Sequence, residues 1–226
     1  MSGKLYIVPT PIGNLGDITL RALEVLRSVS LILAEDTRTS SKLFSHHGIG
    51  TQAQSYHQYN EHKVTPLLAA RLAGGEVMAL ITDAGTPGIS DPGFLIVREC
   101  AQLGVDIECL PGATALIPAL VVSGLPADRF VFEGFLPHKK GRQTRIQEIA
   151  ASKRTTVLYE SPYRILKTLT QLAEYCGPDR QASVSRELSK LHEETVRGTL
   201  QDLITHFGQH TPRGEFVLVL GGKEEE

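Results

Sequence analysis

Charged side chains in this sequence recur directly after short apolar runs. Leu31 to Ala34 is followed by Glu35-Asp36-Thr37-Arg38, and Met78 to Ile81 by Thr82-Asp83-Ala84-Gly85. Thr155 to Tyr159 leads into Glu160-Ser161-Pro162-Tyr163-Arg164, and Gln181 to Ser185 into Arg186-Glu187-Leu188-Ser189-Lys190. A carboxylate in such a place can serve as a general base or hold hydroxyl and amino groups, and a neighbouring cation can offset developing negative charge. An ion pair at a helix N-terminus is the plainer reading of each. The candidates for acid–base or electrostatic work are Asp36 and Arg38 in the first half, and Glu160, Glu187 and Lys190 in the second.

The stretch Leu80 to Gly93, LITDAGTPGISDPG, stands out for its length. After Asp83 come ten residues with three glycines and two prolines. Connections in α/β units run to about two to six residues, so a loop this long is read as a functional loop. A second one, Pro9-Thr10-Pro11-Ile12-Gly13, follows the first apolar run, and Pro111-Gly112-Ala113-Thr114-Ala115 follows another. Neither G-x-G-x-x-G nor G-x-x-x-x-G-K-[ST] occurs, and the prolines remove backbone donors that a phosphate cradle needs. Small residues and carboxylates without a basic clamp suit a cationic, phosphate-free cofactor. S-adenosylmethionine fits that description, with Asp83 positioned to take ribose hydroxyls or an amino group.

The elements that must carry these groups follow from periodicity. Five strand–loop–helix units are read before residue 124: strands at Leu5 to Val8, Leu31 to Ala34, Ala53 to Tyr56, Val77 to Ile81 and Asp106 to Leu110. The intervening helices start near Thr19, after a cap at Thr39 or Ser40, at Lys63, at Phe94 (with Leu95, Val97 and Cys100 inward) and after Ala115. This predicts a doubly wound parallel α/β domain over residues 1–124. Gly124-Leu125-Pro126-Ala127-Asp128 reads as the linker. Beyond it, strands outnumber helices and several are adjacent in sequence, which predicts a smaller, mixed-sheet α/β domain over 125–226. The strand ends of both domains are expected to line one cleft, the usual place for a small-molecule site.

Composition narrows the partners. The chain has 226 residues, 41% hydrophobic content and a net charge of −2, so any nucleic-acid contact must be local. The local candidate is Lys139, Lys140, Arg142 and Arg145, four cations in seven residues beside His138. No apolar run of transmembrane length occurs, and the N-terminus reads as a strand, so no membrane partner is expected. Three cysteines without C-x-x-C spacing are expected to be small buried hydrophobes in a reducing cytoplasm. Four of the eight histidines fall between His46 and His62, but without metal-ligand spacing, so they are read as a polar, substrate-facing loop and no metal is expected. The tail Lys223 to Glu226 is read as solvated charge.

An ordered set of motifs then carries a resemblance. LYIVPTPIGNLGDITLRALEVL, AEDTR, ITDAGTPGISDPG, LPGATALIPAL, GLPADRFVFEGFLP, YESPYR, SRELSK and GEFVLVLGG occur in that order from Leu5 onward. Together they resemble the tetrapyrrole-methylase-fold group of S-adenosylmethionine-dependent methyltransferases, and within it the enzymes of the small-subunit ribosomal RNA. The resemblance implies two α/β domains, a homodimer, S-adenosylmethionine as cofactor, and methyl transfer to the ribose 2′-oxygen of a cytidine in 16S ribosomal RNA or the small ribosomal subunit. It implies cofactor contacts at Pro11, at Thr82 and Asp83 with Ala84 and Gly85 continuing the loop, at Thr114 and Ala115, and at Tyr159, Glu160 and Leu188. The first loop departs from the more usual G-x-G-P-G. Relatives in this group commonly continue in a helical segment after the GEFVLVLGG strand. Two other readings stay open: a methylase of the same fold acting on a tetrapyrrole or other small molecule, and a non-catalytic module that binds RNA or a nucleotide.

Overall fold

The computed structural model describes residues 3–223; the charged tail beyond Lys223 lies outside them. The chain divides into two compact units, Met1–Thr114 and Ala115–Glu226.

The first unit is built on five strands: β1 (Lys4–Ile7), β2 (Leu31–Ala34), β3 (Ala53–Ser55), β4 (Val77–Ile81) and β5 (Asp106–Cys109). They form one sheet in the order β3-β2-β4-β1-β5, with every pair parallel. The crossovers are α1 (Leu20–Ser28), α2 (Thr37–His47), α3 (Glu61–Ala73) and α4 (Phe94–Gln102). Alternate residues of each strand face opposite sides of a sheet, and here both sides are buried. Leu5, Leu31, Leu33, Met78 and Leu80 pack with Leu68, Leu72, Ile96 and Cys100 of α3 and α4. Val8, Ile32, Ala34, Ala79 and Ile81 pack with Ala22 and Leu26 of α1. Each fully buried Leu or Ile contributes roughly 1.5–3 kcal/mol, and burial on both faces explains why β2 and β4 read as unbroken apolar runs, whereas β3 and β5 at the sheet edges are more polar and more exposed.

Local details differ from expectation in three places. Helix α4 turns Ile96 and Cys100 inward, with Leu95 and Val97 only half-buried. Helix α2 is capped by Asp36, whose carboxylate accepts the Arg38 N–H, so it begins before Thr39 and Ser40. Of the cysteines, Cys100 is buried but Cys109 is exposed, because β5 is an edge strand.

The second unit opens with α5 (Leu116–Ser123). Its sheet comprises β6 (Phe130–Phe135), β7 (Thr155–Glu160), β8 (Gln181–Arg186), β9 (Glu194–Thr199) and β10 (Phe216–Leu220), in the order β6-β7-β10-β8-β9. Only β6 and β7 are parallel; the other pairs are antiparallel, so the sheet is mixed. On one face pack α6 (Arg142–Ala151), α7 (Ile165–Cys176) and α8 (Leu200–Gly208), through Ile146, Ile149, Ile165, Leu169, Leu203 and Phe207. Helix α5 lies against β7 to β10. Arg142 and Arg145 of the basic stretch thus stand at the start of a packed helix, whereas Lys139 and Lys140 precede it.

Candidate active site

In the first unit, three loops at the carboxyl edge of the sheet are laced together. Thr10 and Gly85 exchange backbone hydrogen bonds, each 2.9 Å, and Thr10 Oγ1 donates to the carbonyl of Thr82 at 2.9 Å. Thr86 Oγ1 donates to the carbonyl of Ala113 at 3.0 Å. Gly112 sits so close to Pro9 that a β-carbon there would lie 2.6 Å from Pro9 Cβ. The loop containing Pro11, the Thr82–Gly85 segment and the segment ending at Thr114 therefore form one continuous edge. Gly85 has φ of 87°, a conformation that strains any residue with a β-carbon.

The end of β2 joins the same edge through carboxylates. Thr82 Oγ1 donates to Glu35, and the backbone N–H of Asp36 donates to Asp83 Oδ1 at 3.1 Å. Burial and the negative charge of Glu35 hold the Asp83 carboxyl above its ordinary range, against the Asp36 hydrogen bond. Asp36 goes the other way. The Arg38 guanidinium, bonded to it at 2.6 and 3.1 Å, and the Arg38 N–H lower it to about 2. Arg38 is otherwise 90% exposed. Glu35, Asp36 and Asp83 with one arginine make this edge negative, a fit for a cationic sulfonium and for hydroxyl or amino donors. It offers nothing to grip a pyrophosphate.

The second unit places its predicted groups in two networks. Glu160 is 2% exposed and its carboxylate is saturated. It accepts hydrogen bonds from Arg164 Nε (2.8 Å) and Nη2 (3.1 Å), from Thr168 Oγ1 (2.6 Å) and from the Ser161 N–H (2.9 Å). Arg142 belongs to the same network. It is 6% exposed and donates to Thr168 Oγ1, Gln171 Oε1 and the carbonyl of Pro137. Burial weakens its hold on the proton, against the nearby Glu160 charge. Of the four cations expected to meet RNA phosphates, Arg142 therefore faces inward. Arg145 bridges Glu133 and Glu148. Lys139 and Lys140 are exposed, and their side-chain ammonium groups have no hydrogen-bond or ion-pair partner among the described residues.

The second network lies at the end of β8. Glu187 and Ser189 adopt φ of 52° and 64° on either side of buried Leu188, a strained turn of the kind that clusters at functional sites. Lys190 Nζ sits between Glu187 Oε1 and Glu215 Oε2, 2.9 Å from each, and Glu187 Oε1 also accepts the Glu215 N–H. Burial pushes the Glu187 carboxyl up, but its hydrogen bonds from Lys190 and Glu215 outweigh this and leave it below the ordinary range. Burial likewise opposes the charge on Lys190, and its two carboxylate partners more than compensate, raising its pKa. Tyr159 packs edge-on against the rings of Phe132 and Phe135, at 5.0 and 5.6 Å. Ala115 is the N-cap of α5 and follows Thr114 at the boundary of the two units.

Several participants carry no signal that sequence reasoning picks out. Gly214 and Glu215 open the GEFVLVLGG motif, but nothing in its apolar pattern marks them as site residues, and only β8–β10 pairing brings them to Glu187. A β-carbon at Gly214 would overlap Glu187 Cγ. Arg164 is visible in YESPYR, and its spacing four residues after Glu160 on an incipient helix is the available signal.

Comparisons with known proteins fit this architecture. The family model for tetrapyrrole (corrin/porphyrin) methylases matches residues 4–204. Ribosomal RNA small subunit methyltransferase I from Synechocystis is 52% identical over 225 residues, covering 99% of this chain and 81% of that protein. The protein of that name from Thermotoga maritima is 45% identical over 222 residues, covering 98% of this chain and 100% of its own. Among solved structures, diphthine synthase superposes with a TM-score of 0.76 at 15% identity, covering 99% of this chain and 92% of that one. Uroporphyrin-III C-methyltransferase from Thermus thermophilus, complexed with S-adenosylhomocysteine, superposes with a TM-score of 0.66 at 20% identity, covering 97% of each chain. The two solved structures share the fold.

Proposed function

The chain belongs to the tetrapyrrole methylase family, and within it to the ribosomal RNA small subunit methyltransferase I group; on that premise we propose that it transfers a methyl group from S-adenosylmethionine to the ribose 2′-oxygen of a cytidine in 16S ribosomal RNA. The observation that carries this reading is the acidic, phosphate-averse edge of the first unit within a chain similar along nearly its whole length to ribosomal RNA methyltransferases. We assign the cofactor to Pro11, Thr82, Asp83, Ala84, Gly85 and Thr114 of that edge. When bound, S-adenosylmethionine supplies an already activated methyl group.

What the protein must add is position and charge. A 2′-hydroxyl is weakly acidic, and its oxygen gains negative charge as its proton passes to solvent. Lys190 is held as a cation by Glu187 and Glu215, so its assigned role is to stabilise that oxygen rather than to accept the proton. Glu187 orients Lys190. The Glu160 carboxylate is fully engaged by its donors; its role is to hold Arg164, which also donates to the Leu136 carbonyl and contacts His138 Nδ1. That pins the segment carrying Lys139 and Lys140, which we assign to RNA phosphates. The acting form is proposed to be a homodimer.

The deciding experiment offers labelled S-adenosylmethionine with 30S subunits, naked 16S RNA and a tetrapyrrole precursor, and then maps the methylated nucleotide. Label on a cytidine 2′-oxygen is the expected result. Label on the tetrapyrrole alone, or cofactor binding without transfer, overturns the reading.

A further inference from the structure

The first unit contains a cavity of about 320 Å³ that none of the groups assigned above uses. That is near the lower end of the ~300–1,000 Å³ typical of small-molecule pockets. Gln58, Glu61 and His62 line it from the connection after β3, and Ser90, Asp91 and Phe94 from the connection after β4. Both connections leave the carboxyl edge of the sheet, the edge that carries Asp36 and Asp83.

The cavity has a built wall. Gly93 lines it with φ of 147°, where a β-carbon would lie 3.1 Å from Leu80 Cδ2 and 3.2 Å from the Gly88 nitrogen. Only glycine lets the loop fold back over the strand end. Ser90 is held at φ of 66°, a left-handed conformation uncommon for a residue with a side chain. Such strain persists only where the surroundings impose it.

Its chemistry is selective. Phe94 is 65% exposed, with the Arg98 guanidinium 5.2 Å from its ring centroid. The side chains of Gln58, Glu61 and His62 have no hydrogen-bond or ion-pair partner among the described residues. The lining includes the carboxylates of Glu61 and Asp91 and no lysine or arginine. A flat, uncharged group that stacks on an aromatic ring and presents an amino group is what this lining attracts. Cytosine presents the N4 amino group, which a carboxylate accepts. Uracil presents the O4 carbonyl there, which a carboxylate repels. Unstacked RNA bases are commonly held in this way, on an aromatic face with their edges hydrogen-bonded.

We infer that this cavity is a cytosine pocket, which receives the base of the acceptor nucleotide with Phe94 as stacking wall and Glu61 as acceptor of the N4 amino group. The inference rests on the reading of the chain as a cytidine-directed RNA methyltransferase, but its test does not need turnover.

The test is saturation-transfer NMR on the full chain with cytidine and with uridine, in the presence of S-adenosylhomocysteine to occupy the cofactor site. Cytidine is expected to bind about ten-fold more tightly than uridine, the discrimination of one good base-edge contact. Glu61→Gln is expected to bring the two within about two-fold, and Phe94→Ala to weaken both about ten-fold through loss of stacking. Equal binding of cytidine and uridine to the wild-type chain overturns the proposal, as does a preference that survives Glu61→Gln. Methyl transfer to 16S RNA by the wild-type chain, measured separately, reports on the parent reading: transfer without a cytidine preference in binding removes the pocket alone.

Discussion

Arg164 closes a two-point fork on Glu160, with Nε 2.8 Å from Oε1 and Nη2 3.1 Å from Oε2, on a carboxylate that is almost completely buried. Removing one member of a buried pair leaves the other uncompensated and costs about 3–5 kcal/mol. Glu160→Ala is therefore expected to lower stability in urea unfolding by about 3 kcal/mol. Glu160→Gln should do less, and the folded fraction of either variant should retain methyl transfer within about ten-fold. A folded Glu160→Gln protein with turnover reduced a thousand-fold would make Glu160 the base instead.

Lys190 tests the chemical assignment. Lys190→Ala is expected to lower kcat by about 100-fold, the usual effect of losing one electrostatic donor, with the dissociation constant of S-adenosylmethionine unchanged in calorimetry. Lys190→Arg should restore part of kcat, because the charge persists. Equal losses in kcat and cofactor affinity would point to a collapsed site.

Asp83 should show opposed effects on stability and binding. Its carboxyl is held above the ordinary range by burial and by Glu35, so the folded chain binds this proton more tightly than the unfolded chain does. The charged form thus opposes folding at neutral pH, and the opposition lifts as pH falls through the raised pKa. Asp83→Asn keeps an acceptor for the Asp36 N–H and removes the repulsion. Its Tm at pH 7 is expected to equal or exceed the wild-type value, while S-adenosylmethionine binds about ten-fold more weakly, as expected when a hydrogen bond to a charged group is removed. A Tm that falls with affinity unchanged contradicts both halves.

Gly214 is expected to tolerate no side chain. Its φ is 92°, and a β-carbon would overlap the Glu187 side chain. Gly214→Ala must displace Glu187 and with it Lys190, so kcat should fall while cofactor affinity holds. The same kinetic split as in Lys190→Ala, in a residue with no functional group, would show that Glu187 acts by positioning.

The basic cluster should divide under salt. Neutralising Lys139 and Lys140 together is expected to reduce the slope of log binding against log salt by about 2, one for each phosphate that a lysine no longer neutralises. Arg142→Ala should leave the slope alone and lower stability, since its guanidinium is committed to Thr168, Gln171 and Pro137. An unchanged slope in the double lysine variant removes this turn from the RNA interface.

The apolar runs and the glycine- and proline-rich loops determined the strands, their all-parallel arrangement in the first unit, and the edge at which chemistry gathers. Local rules suffice there, because burial on both faces demands continuous hydrophobicity and loop length is set by neighbouring elements. The ordered motifs likewise marked Thr82, Asp83, Asp36, Glu187 and Lys190 as charged or polar groups at strand ends. Sequence could not say which of these charges were already committed to a partner. Glu160 and Arg142 look like Glu187 and Lys139 in a string of letters, yet the packing of α6 and α7 onto β7 buries the first pair together. Antiparallel pairing of β10 with β8 brings Glu215 to Lys190 from a distant segment, and no spacing rule encodes that approach. The charge state of a side chain depends on what lies within a few ångströms of it, and for Asp83, Lys190 and Arg142 only the tertiary structure supplies those neighbours.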